Sequence, residues 1–465
     1  MHHIDIIAAK PLHLSNVTKP QALFSKLAHL PWAMWLDSCA SEHVDSQYDI
    51  MVWQPKCTIT TKGLSTIINT LNEDAIDVSD TDPLLLLEQY QASLFNQYDI
   101  QKSALPFHGG ALGYFSYDLG RRFETLPVQA IRDIDIPEMA VGLYTHAIIY
   151  DRRQQKYWLV CPQKQRVSLA NEINNLVEHN DTDVFSLTTN WQANISKQAY
   201  EKKFNQVQAY LRSGDCYQIN LTQRFQAEYE GDEFEAYCKL RQANKAPFSA
   251  FIKLDEFAIL SISPERFLQV RDNQVQTKPI KGTIPRSPDA EQDKKNAQHL
   301  LASEKDRAEN LMIVDLLRND LSRVCEPGSV KVPKLFDIES FPAVHHLVST
   351  VEGTLSPNES PHDLLRASFP GGSITGAPKI RAMEIIDELE AQRRSIYCGS
   401  IGYLSACGHM DTSITIRTLV CKNQQIYCWA GGGIVADSNV DAEYQETFDK
   451  VNKILPILIP SSIKK

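Results

Sequence analysis

The strand-forming runs of this chain are short, unevenly spaced and often turned back on themselves, and this pattern limits the fold more than any other feature. Runs such as "FAILSIS", "QVQTKPI", "SIGYLS" and "TSITIRTLV" are separated by tight turns as often as by helices. A doubly wound parallel sheet requires strands and helices that alternate regularly. The sequence therefore predicts an α+β fold with antiparallel β-sheets.

The polar stretch 187–198 offers the best division of the sequence. It separates an N-terminal region, 1–190, from a C-terminal region, 195–456. In the first region "GGALGYFSYDLGRRFE" predicts a buried strand with a turn, and "HAIIYDRRQQKYWLVC" predicts a hairpin. The second region begins with a helix over 199–215, whose apolar residues recur at helical spacing and which ends at Gly214.

Composition excludes several classes of function. The 465 residues carry a net charge of −10 without a Lys/Arg run of the kind that binds nucleic acid. The N-terminus lacks a signal-peptide pattern, and no apolar run reaches the roughly 18 residues that a membrane span requires. Ten cysteines occur without a CxxC pair or a zinc-ligand spacing, which predicts reduced thiols and a cytoplasmic protein.

An acid and an amine are predicted to approach each other in "LSISPERFLQVRDNQVQTKPIKGT". A hairpin centred on Asp272–Asn273 pairs positions whose numbers sum to about 545, so Glu265 faces Lys281 or its neighbour. Such a pair is compatible with a cross-strand ion pair, or with a nucleophile and a general acid. The residues alone leave both interpretations open.

Two pairs of acidic residues have helical i,i+3 spacing, Asp306 with Glu309 and Glu443 with Glu446. Each pair places two carboxylates on one helix face. If the pairs converge in a cleft, their oxygens suit Mg²⁺, which completes its coordination shell with water and substrate oxygens. Taken separately, each pair is also typical of a solvated helix surface.

An arginine and several glycines mark a possible anion site. Arg417 lies in the apolar run "SITIRTLV", and an interior arginine requires either a protein partner or a bound carboxylate. The glycine triplet of "CWAGGGIVADS" could offer backbone N–H groups nearby. The loop "FPGGSITGAPK" leads into a helix but is not a Walker A loop, because Lys379 follows Gly376 by three residues with a proline between them.

In combination these motifs resemble the chorismate-utilising enzymes, which include anthranilate, aminodeoxychorismate, isochorismate and salicylate synthases. "SPERF", "PIKGT", "DRAENLMIVDLLRNDL", "FPGGSITGAPK", "TSITIRT", "AGGGIVADS" and "EYQETFDKV" stand in the family's order between residues 200 and 453. The resemblance implies the anthranilate synthase component I-like fold, in which antiparallel sheets form a sandwich surrounded by helices.

Two positions distinguish members of the family. Isochorismate and salicylate synthases carry a water-activating lysine where this chain has Gln218, and anthranilate synthases usually carry alanine where it has Lys281. At these positions the chain resembles aminodeoxychorismate synthases, and the resemblance implies that ammonia replaces the 4-hydroxyl of chorismate on the route to 4-aminobenzoate and folate. The alternatives are anthranilate synthase component I and a catalytically inactive tryptophan-binding regulatory subunit.

The resemblance also implies roles for individual residues and a partner. Ammonia would come from a separate glutamine amidotransferase subunit in a heterodimer. Lys281 is expected to attack chorismate covalently, and Glu265 to act as general acid and base. Magnesium is expected on Glu309, Glu443 and Glu446, with Asp306 as a weaker ligand. Other expected substrate-binding residues are Gln218, Thr283, His346, Thr375, Gly376, Tyr403, Arg417, Gly431, Gly432, Gly433 and Lys450. A tryptophan pocket is expected at Ser38, Asp45, Ser46, Gln47, Tyr48, Pro247, Phe248 and Ser249.

Overall fold

The computed structural model describes residues 4–15, 19–39, 43–71, 76–177, 183–340 and 344–459. Its strands, numbered in chain order, are β1 Asp5–Leu12, β2 Met34–Asp37, β3 Tyr48–Val52, β4 Cys57–Lys62, β5 Ser65–Thr70, β6 Ile76–Ser79, β7 Tyr98–Ile100, β8 Gly110–Phe115, β9 Met139–Tyr144, β10 Ala147–Asp151, β11 Lys156–Pro162, β12 Ser186–Leu187, β13 Gln192–Ala193, β14 Gln218–Glu230, β15 Phe248–Lys253, β16 Phe257–Ser263, β17 Arg266–Arg271, β18 Gln274–Thr277, β19 Ile280–Pro285, β20 Lys331–Ser340, β21 Val344–Thr354, β22 Gly376–Ala377, β23 Ser400–Ser405, β24 Met410–Ile414, β25 Thr418–Lys422 and β26 Gln425–Ile434.

The helices surround these strands. They are α1 Pro20–Phe24, α2 Pro83–Phe95, α3 Arg166–Asn174, α4 Lys197–Ser213, α5 Glu233–Asn244, α6 Ala290–Ala302, α7 Glu304–Ser322, α8 Pro361–Ser368, α9 Lys379–Leu389, α10 Val440–Asp449 and α11 Leu455–Leu458, with short 3₁₀ turns at Tyr117–Arg122, Gln163–Gln165 and Gly372–Ile374. Within the described ranges, every helix is too short or too polar to cross a membrane.

Two large sheets, antiparallel apart from the β1–β7 pair, organise the molecule. The first runs in the order β12-β14-β26-β25-β16-β15-β2-β3-β10-β11-β1-β7, and the second in the order β19-β21-β18-β17-β24-β23-β8-β9-β4-β5-β6. Each sheet contains strands from both sides of the 190–195 boundary, so that boundary divides the sequence but not the sheets. The α+β prediction is confirmed.

Period-two alternation along the strands explains why the sheets form a sandwich. On β2, Met34 joins the core cluster that contains Ile59 and Leu112 of the second sheet, whereas Trp35 packs on the opposite face with Phe24 and Tyr237 of the outer helices. Successive strand residues point to opposite faces. The first sheet is therefore buried on both faces, between the second sheet and a layer made by α1, α3, α5 and α11.

Several local predictions are confirmed. The hairpin β10–β11 turns over 152–155, and α4 ends at Gly214, which has φ +81°. The β17–β18 hairpin pairs Gln269 with Gln276 and Val270 with Val275, which is the predicted register. Both residues of its Asp272–Asn273 turn have positive φ, the conformation that fits the twist of a two-residue hairpin. All ten cysteines are free thiols.

Candidate functional site

Lys281 is brought to the site by β19, which pairs with β21 and not with the β17–β18 hairpin. Its Nζ lies 2.8 Å from Glu309 Oε1 and 3.2 Å from the carbonyl oxygen of Ser373. The expected cross-strand pairing with Glu265 is therefore wrong, because Pro279, which has no N–H, precedes a new strand. The ion-pair partner of Lys281 is Glu309.

Glu265 lies between β16 and β17 and still reaches the surroundings of Lys281. Ser373 Oγ donates to its Oε1 at 3.0 Å, and the N–H of Ile280, the residue before Lys281, donates to the carboxylate. Burial raises the pKa of Glu265, although Lys281 and Ser373 oppose the shift. A carboxyl group with a raised pKa in a buried site is suited to donate a proton.

The three glutamates predicted as metal ligands come together around a glycine pair of β26. A Cβ atom at Gly432 would lie 2.9 Å from Glu443 Oε2 and 3.2 Å from Glu446 Oε1, both on α10. A Cβ atom at Gly433 would lie 3.0 Å from Glu309 Oε1, on α7. The absence of side chains at Gly432 and Gly433 therefore makes room for carboxylates from two helices.

These carboxylates fit a hard cation with an open coordination shell. Glu443 Oε2 is buried and has no hydrogen-bond partner in the part of the chain that the structure describes, while Ser438 donates to Oε1 at 2.6 Å. Burial raises the pKa of Glu443, and the neighbouring Glu446 adds to the shift. In the described ranges the three glutamates do not bring three oxygens within 4.8 Å of one another, so their side chains would have to move closer together to hold one ion.

Glu309 differs from Glu443 because cations and donors surround it. Burial acts to raise its pKa, but Lys281 and the amide of Gln218, whose Nε2 donates at 2.6 Å, outweigh burial and lower it. Gln218 is thus at the site, as predicted. Asp306 lies one helical turn away against Gly282, where a Cβ atom would be 3.0 Å from its Oδ1, so it is separated from the Gly432–Gly433 pair.

Arg417 is a cation without an ionic partner. Among the described residues its guanidinium makes no hydrogen bond or ion pair, although Glu265 is close enough to act on it electrostatically. Burial lowers its pKa, and its φ of +52° is unusual for a non-glycine residue. The alternative of an internal salt bridge is therefore excluded within the described ranges, and the arginine remains available for an anion.

Three more of the predicted substrate-binding residues, Thr283, His346 and Lys450, are polar side chains with defined partners. Thr283 and His346 face each other across β19 and β21, with Oγ1 and Nδ1 2.7 Å apart. Burial lowers the pKa of His346 to about 4, assisted by Arg417, so its ring is neutral near pH 7. Lys450 Nζ lies 2.7 Å from Glu446 Oε1 and donates to the carbonyl of Gly431 at 2.7 Å.

The loop before α9 contributes more than was predicted. The Thr375 hydroxyl donates to the carbonyl of Gly371. Gly376 packs against β14, where a Cβ atom would lie 2.1 Å from the backbone carbonyl oxygen of Gln218. The residue that reaches both central side chains is Ser373, through its hydroxyl to Glu265 and its carbonyl to Lys281. Ser373 was missed because a serine in a glycine-rich loop has no distinguishing sequence pattern.

Tyr403 is not part of this group, which corrects its predicted role. It lies on β23 and lines a separate cavity of about 100 Å³ with residues of the N-terminal region. Its ring contacts Phe107, and the charged groups nearest to it are Asp411, Arg271 and Arg266. The lining of this cavity includes none of Lys281, Glu265, Glu309 and Arg417.

The same cavity collects most of the predicted tryptophan-binding residues. Its lining includes Ser38, Asp45, Tyr48, Pro247, Phe248 and Ser249. Gln47 instead donates to the Tyr48 hydroxyl at 2.9 Å, and Ser46 is buried outside the lining. Arg266 lies beside the cavity, bound to Asp45 and Asp411 at 2.9 Å each and stacked over Phe248. The charges near the cavity are therefore paired with one another.

Comparison with known proteins agrees with this geometry. Residues 33–456 match the family of chorismate binding enzymes. This chain belongs to that family. It is 56% identical over 443 residues to aminodeoxychorismate synthase component 1 from Escherichia coli, covering 93% of this chain and 94% of the relative.

Two solved structures share the fold. Anthranilate synthase component I from Streptococcus pneumoniae has a TM-score of 0.79 at 34% identity, covering 89% of this chain and 93% of that chain. The menaquinone-specific isochorismate synthase from Escherichia coli has a TM-score of 0.73 at 17% identity, covering 98% and 96%, and this likeness concerns the fold alone. The predicted anthranilate synthase component I-like fold is thus confirmed.

Proposed function

We propose that this chain is the component of aminodeoxychorismate synthase that converts chorismate and ammonia to 4-amino-4-deoxychorismate, a precursor of 4-aminobenzoate and folate. The observation that carries the proposal is the placement of Lys281. Its amine lies among Glu309, Ser373 and Gln218, in a site where Arg417 has no partner among the residues that the structure describes. The 56% identity to a protein named aminodeoxychorismate synthase component 1 supports it.

The 4-hydroxyl of chorismate is a poor leaving group, and two successive displacements at the ring would retain configuration. In the first, Lys281 Nζ forms a bond to C2, the two ring double bonds shift, and the C4–O bond breaks as Glu265 gives its proton to the leaving oxygen. In the second, ammonia bonds to C4, the double bonds shift back, and the C2–N bond breaks to restore Lys281. Glu265 takes up the proton that ammonia loses.

Lys281 attacks as the free amine, because the nitrogen lone pair forms the bond to C2. Glu309 Oε1 and the Ser373 carbonyl hold the amine at 2.8 and 3.2 Å, and these two contacts fix its direction. Arg417 and the neutral ring of His346 would bind a substrate carboxylate. These contacts would orient the ring between the lysine and the acid.

Magnesium is the proposed cofactor, held by Glu309, Glu443 and Glu446. When bound, it would neutralise a substrate carboxylate and anchor it. The unpartnered buried oxygen of Glu443 is the feature that favours this assignment. Without a cation, two carboxylates of α10 repel each other across Gly432.

Replacing Glu443 with glutamine is expected to raise the Mg²⁺ concentration for half-maximal rate by at least about tenfold. Binding of Mn²⁺, followed by electron paramagnetic resonance, should weaken in parallel. Because the buried charge is removed, the melting temperature in EDTA should not fall. Glu291→Gln, on the exposed face of α6, is the matched control. Unchanged Mn²⁺ affinity in the Glu443 variant contradicts the ligand assignment.

A separate glutamine amidotransferase subunit is the proposed source of ammonia, as the word "component" in the relative's name suggests. We place this pair in the cytoplasm, where thiols remain reduced. We also propose that the cavity around Ser38 and Phe248 binds tryptophan, and the residues that line the cavity support this proposal.

Product identity under high ammonium is the decisive test. The purified chain, incubated with chorismate, ammonium and Mg²⁺, should yield a product that becomes 4-aminobenzoate only after a lyase that eliminates pyruvate is added. Anthranilate appearing without the lyase would instead identify an anthranilate synthase component I. An absence of turnover with the amidotransferase subunit and glutamine present would favour a regulatory tryptophan-binding protein.

A further inference from the structure

Cys407 lies between two histidines in the turn that joins β23 and β24. His409 belongs to the same turn, and His108 comes from the segment before β8. One potential ligand atom of each of the three side chains lies within 4.8 Å of the others, and all three residues are buried. This cluster, called here the Cys407 cluster, contains none of the residues assigned to the chorismate site.

Hydrogen bonds to the far nitrogens fix where the ring protons lie. The backbone N–H of Ser103 donates to His108 Nε2 at 3.0 Å, so the proton of the neutral ring must be on Nδ1. His409 Nε2 lies 3.4 Å from Asp272 Oδ1, an acceptor, and therefore carries a proton. Nδ1 of each ring is buried and forms no hydrogen bond among the described residues, and both rings lie beside the Cys407 sulfur.

The surroundings of the sulfur favour its thiolate form. Burial acts against the charge, but the two histidine side chains, the Ser405 hydroxyl at 3.3 Å and the N–H of His409 outweigh burial and lower the pKa of Cys407 to about 5. The pKa of His409 is raised, mainly by its bond to Cys407 and further by Asp272, while burial and Arg271 oppose the shift. Burial raises the pKa of Cys238, by contrast, to about 12.

We propose that Cys407 is a modification site, a thiolate held by His108 and His409 that reacts with small peroxides and soft electrophiles. With hydrogen peroxide, the thiolate sulfur attacks one oxygen, the O–O bond breaks, and hydroxide leaves with the electron pair. The sulfur is oxidised to sulfenic acid and the peroxide is reduced. Two equivalents of an external thiol reverse the change, releasing water and a disulfide.

A tetrahedral metal centre is a weaker interpretation of the same three residues. A metal ion at His108 Nδ1 would require the proton to move to Nε2, where the Ser103 hydroxyl at 2.8 Å could accept it but the hydrogen bond from the Ser103 N–H would be lost. The thiolate arrangement needs no such change. It also leaves Cys407, at 7% relative exposure, as the most exposed of the nine buried cysteines.

The test compares alkylation of Cys407 and Cys238 within one folded protein. Cys238 is the more exposed of the two, so access alone predicts that it reacts first. Site-resolved mass spectrometry after limited iodoacetamide treatment at pH 6 should show Cys407 reacting at least about tenfold faster. Its rate should change little between pH 6 and 8, and dimedone should trap a sulfenic acid at Cys407 after peroxide.

The variant His409→Asn separates a thiolate effect from simple exposure. Asparagine cannot carry the positive charge, so alkylation of Cys407 at pH 6 should slow at least about tenfold and regain speed at higher pH. His299→Asn, on exposed α6, is the matched control, and retained chorismate turnover reports that both variants are folded. If Cys407 is alkylated only when the other buried thiols are alkylated too, the proposal is wrong. If the purified protein contains stoichiometric Zn²⁺ that protects Cys407 from alkylation, the proposal is also wrong and the cluster is a metal centre.

Discussion

Lys281→Ala is expected to lower the rate of chorismate amination by about 10³-fold or more, the scale on which removal of a covalent nucleophile acts. The alanine lacks the amine that forms the bond to C2, and ammonia must then displace the poorly leaving hydroxyl directly. Mass spectrometry of wild-type protein mixed with chorismate should show a fraction carrying a lysine adduct. The variant should show none.

Lys281→Arg is the informative control for this experiment. Arginine keeps a positive charge beside Glu309 and therefore preserves the electrostatic part of the 2.8 Å ion pair. If Lys281 served only as that ion-pair partner, the arginine variant would recover most of the rate. We expect it to remain as slow as the alanine variant, while Lys295→Ala, in an exposed ion pair on α6, keeps full activity. A fast Lys281→Arg enzyme refutes the covalent role.

The local pattern of the sequence was sufficient for the hairpins and helices around the site. The Asp272–Asn273 turn set the register of β17–β18, and the i,i+3 spacing placed Glu443 and Glu446 together on α10. Both features depend on residues close in sequence, where backbone geometry fixes which side chains share a face.

Long-range strand pairing could not be obtained in the same way. Lys281 belongs to β19, whose partner β21 begins at Val344, and its ion pair joins it to α7. Pro279 marks the end of the hairpin but does not say which strand comes next. The prediction that Tyr403 binds substrate has a related weakness. The sequence correctly places Tyr403 on a strand, but which site each face of that strand meets depends on the neighbouring sheet.

The family resemblance predicted residue roles that local patterns could not, and the structure shows which contacts those residues make. It named Glu309 as a metal ligand, whereas the geometry shows that Glu309 also binds Lys281 and Gln218. One carboxylate thus joins the proposed nucleophile to the proposed metal site.

Glu265→Gln is expected to slow amination by about 10²–10⁴-fold, the contribution of a positioned general acid–base group. Glutamine retains the size of the side chain and can accept from Ser373 and Ile280, so the surrounding structure should persist. Ser373→Ala removes one of these donors and leaves the acid, and a smaller loss of rate is expected from it.

The dependence on pH distinguishes a proton-transferring role from a structural one. Burial raises the pKa of Glu265, so its acid form persists to higher pH than that of an exposed glutamate, and the wild-type rate should decline as pH rises through that pKa in the complex. The glutamine variant should lose this decline, since it has no proton to release. If the variant keeps the wild-type profile at a reduced rate, another group supplies the proton and Glu265 only positions Ser373 and β19.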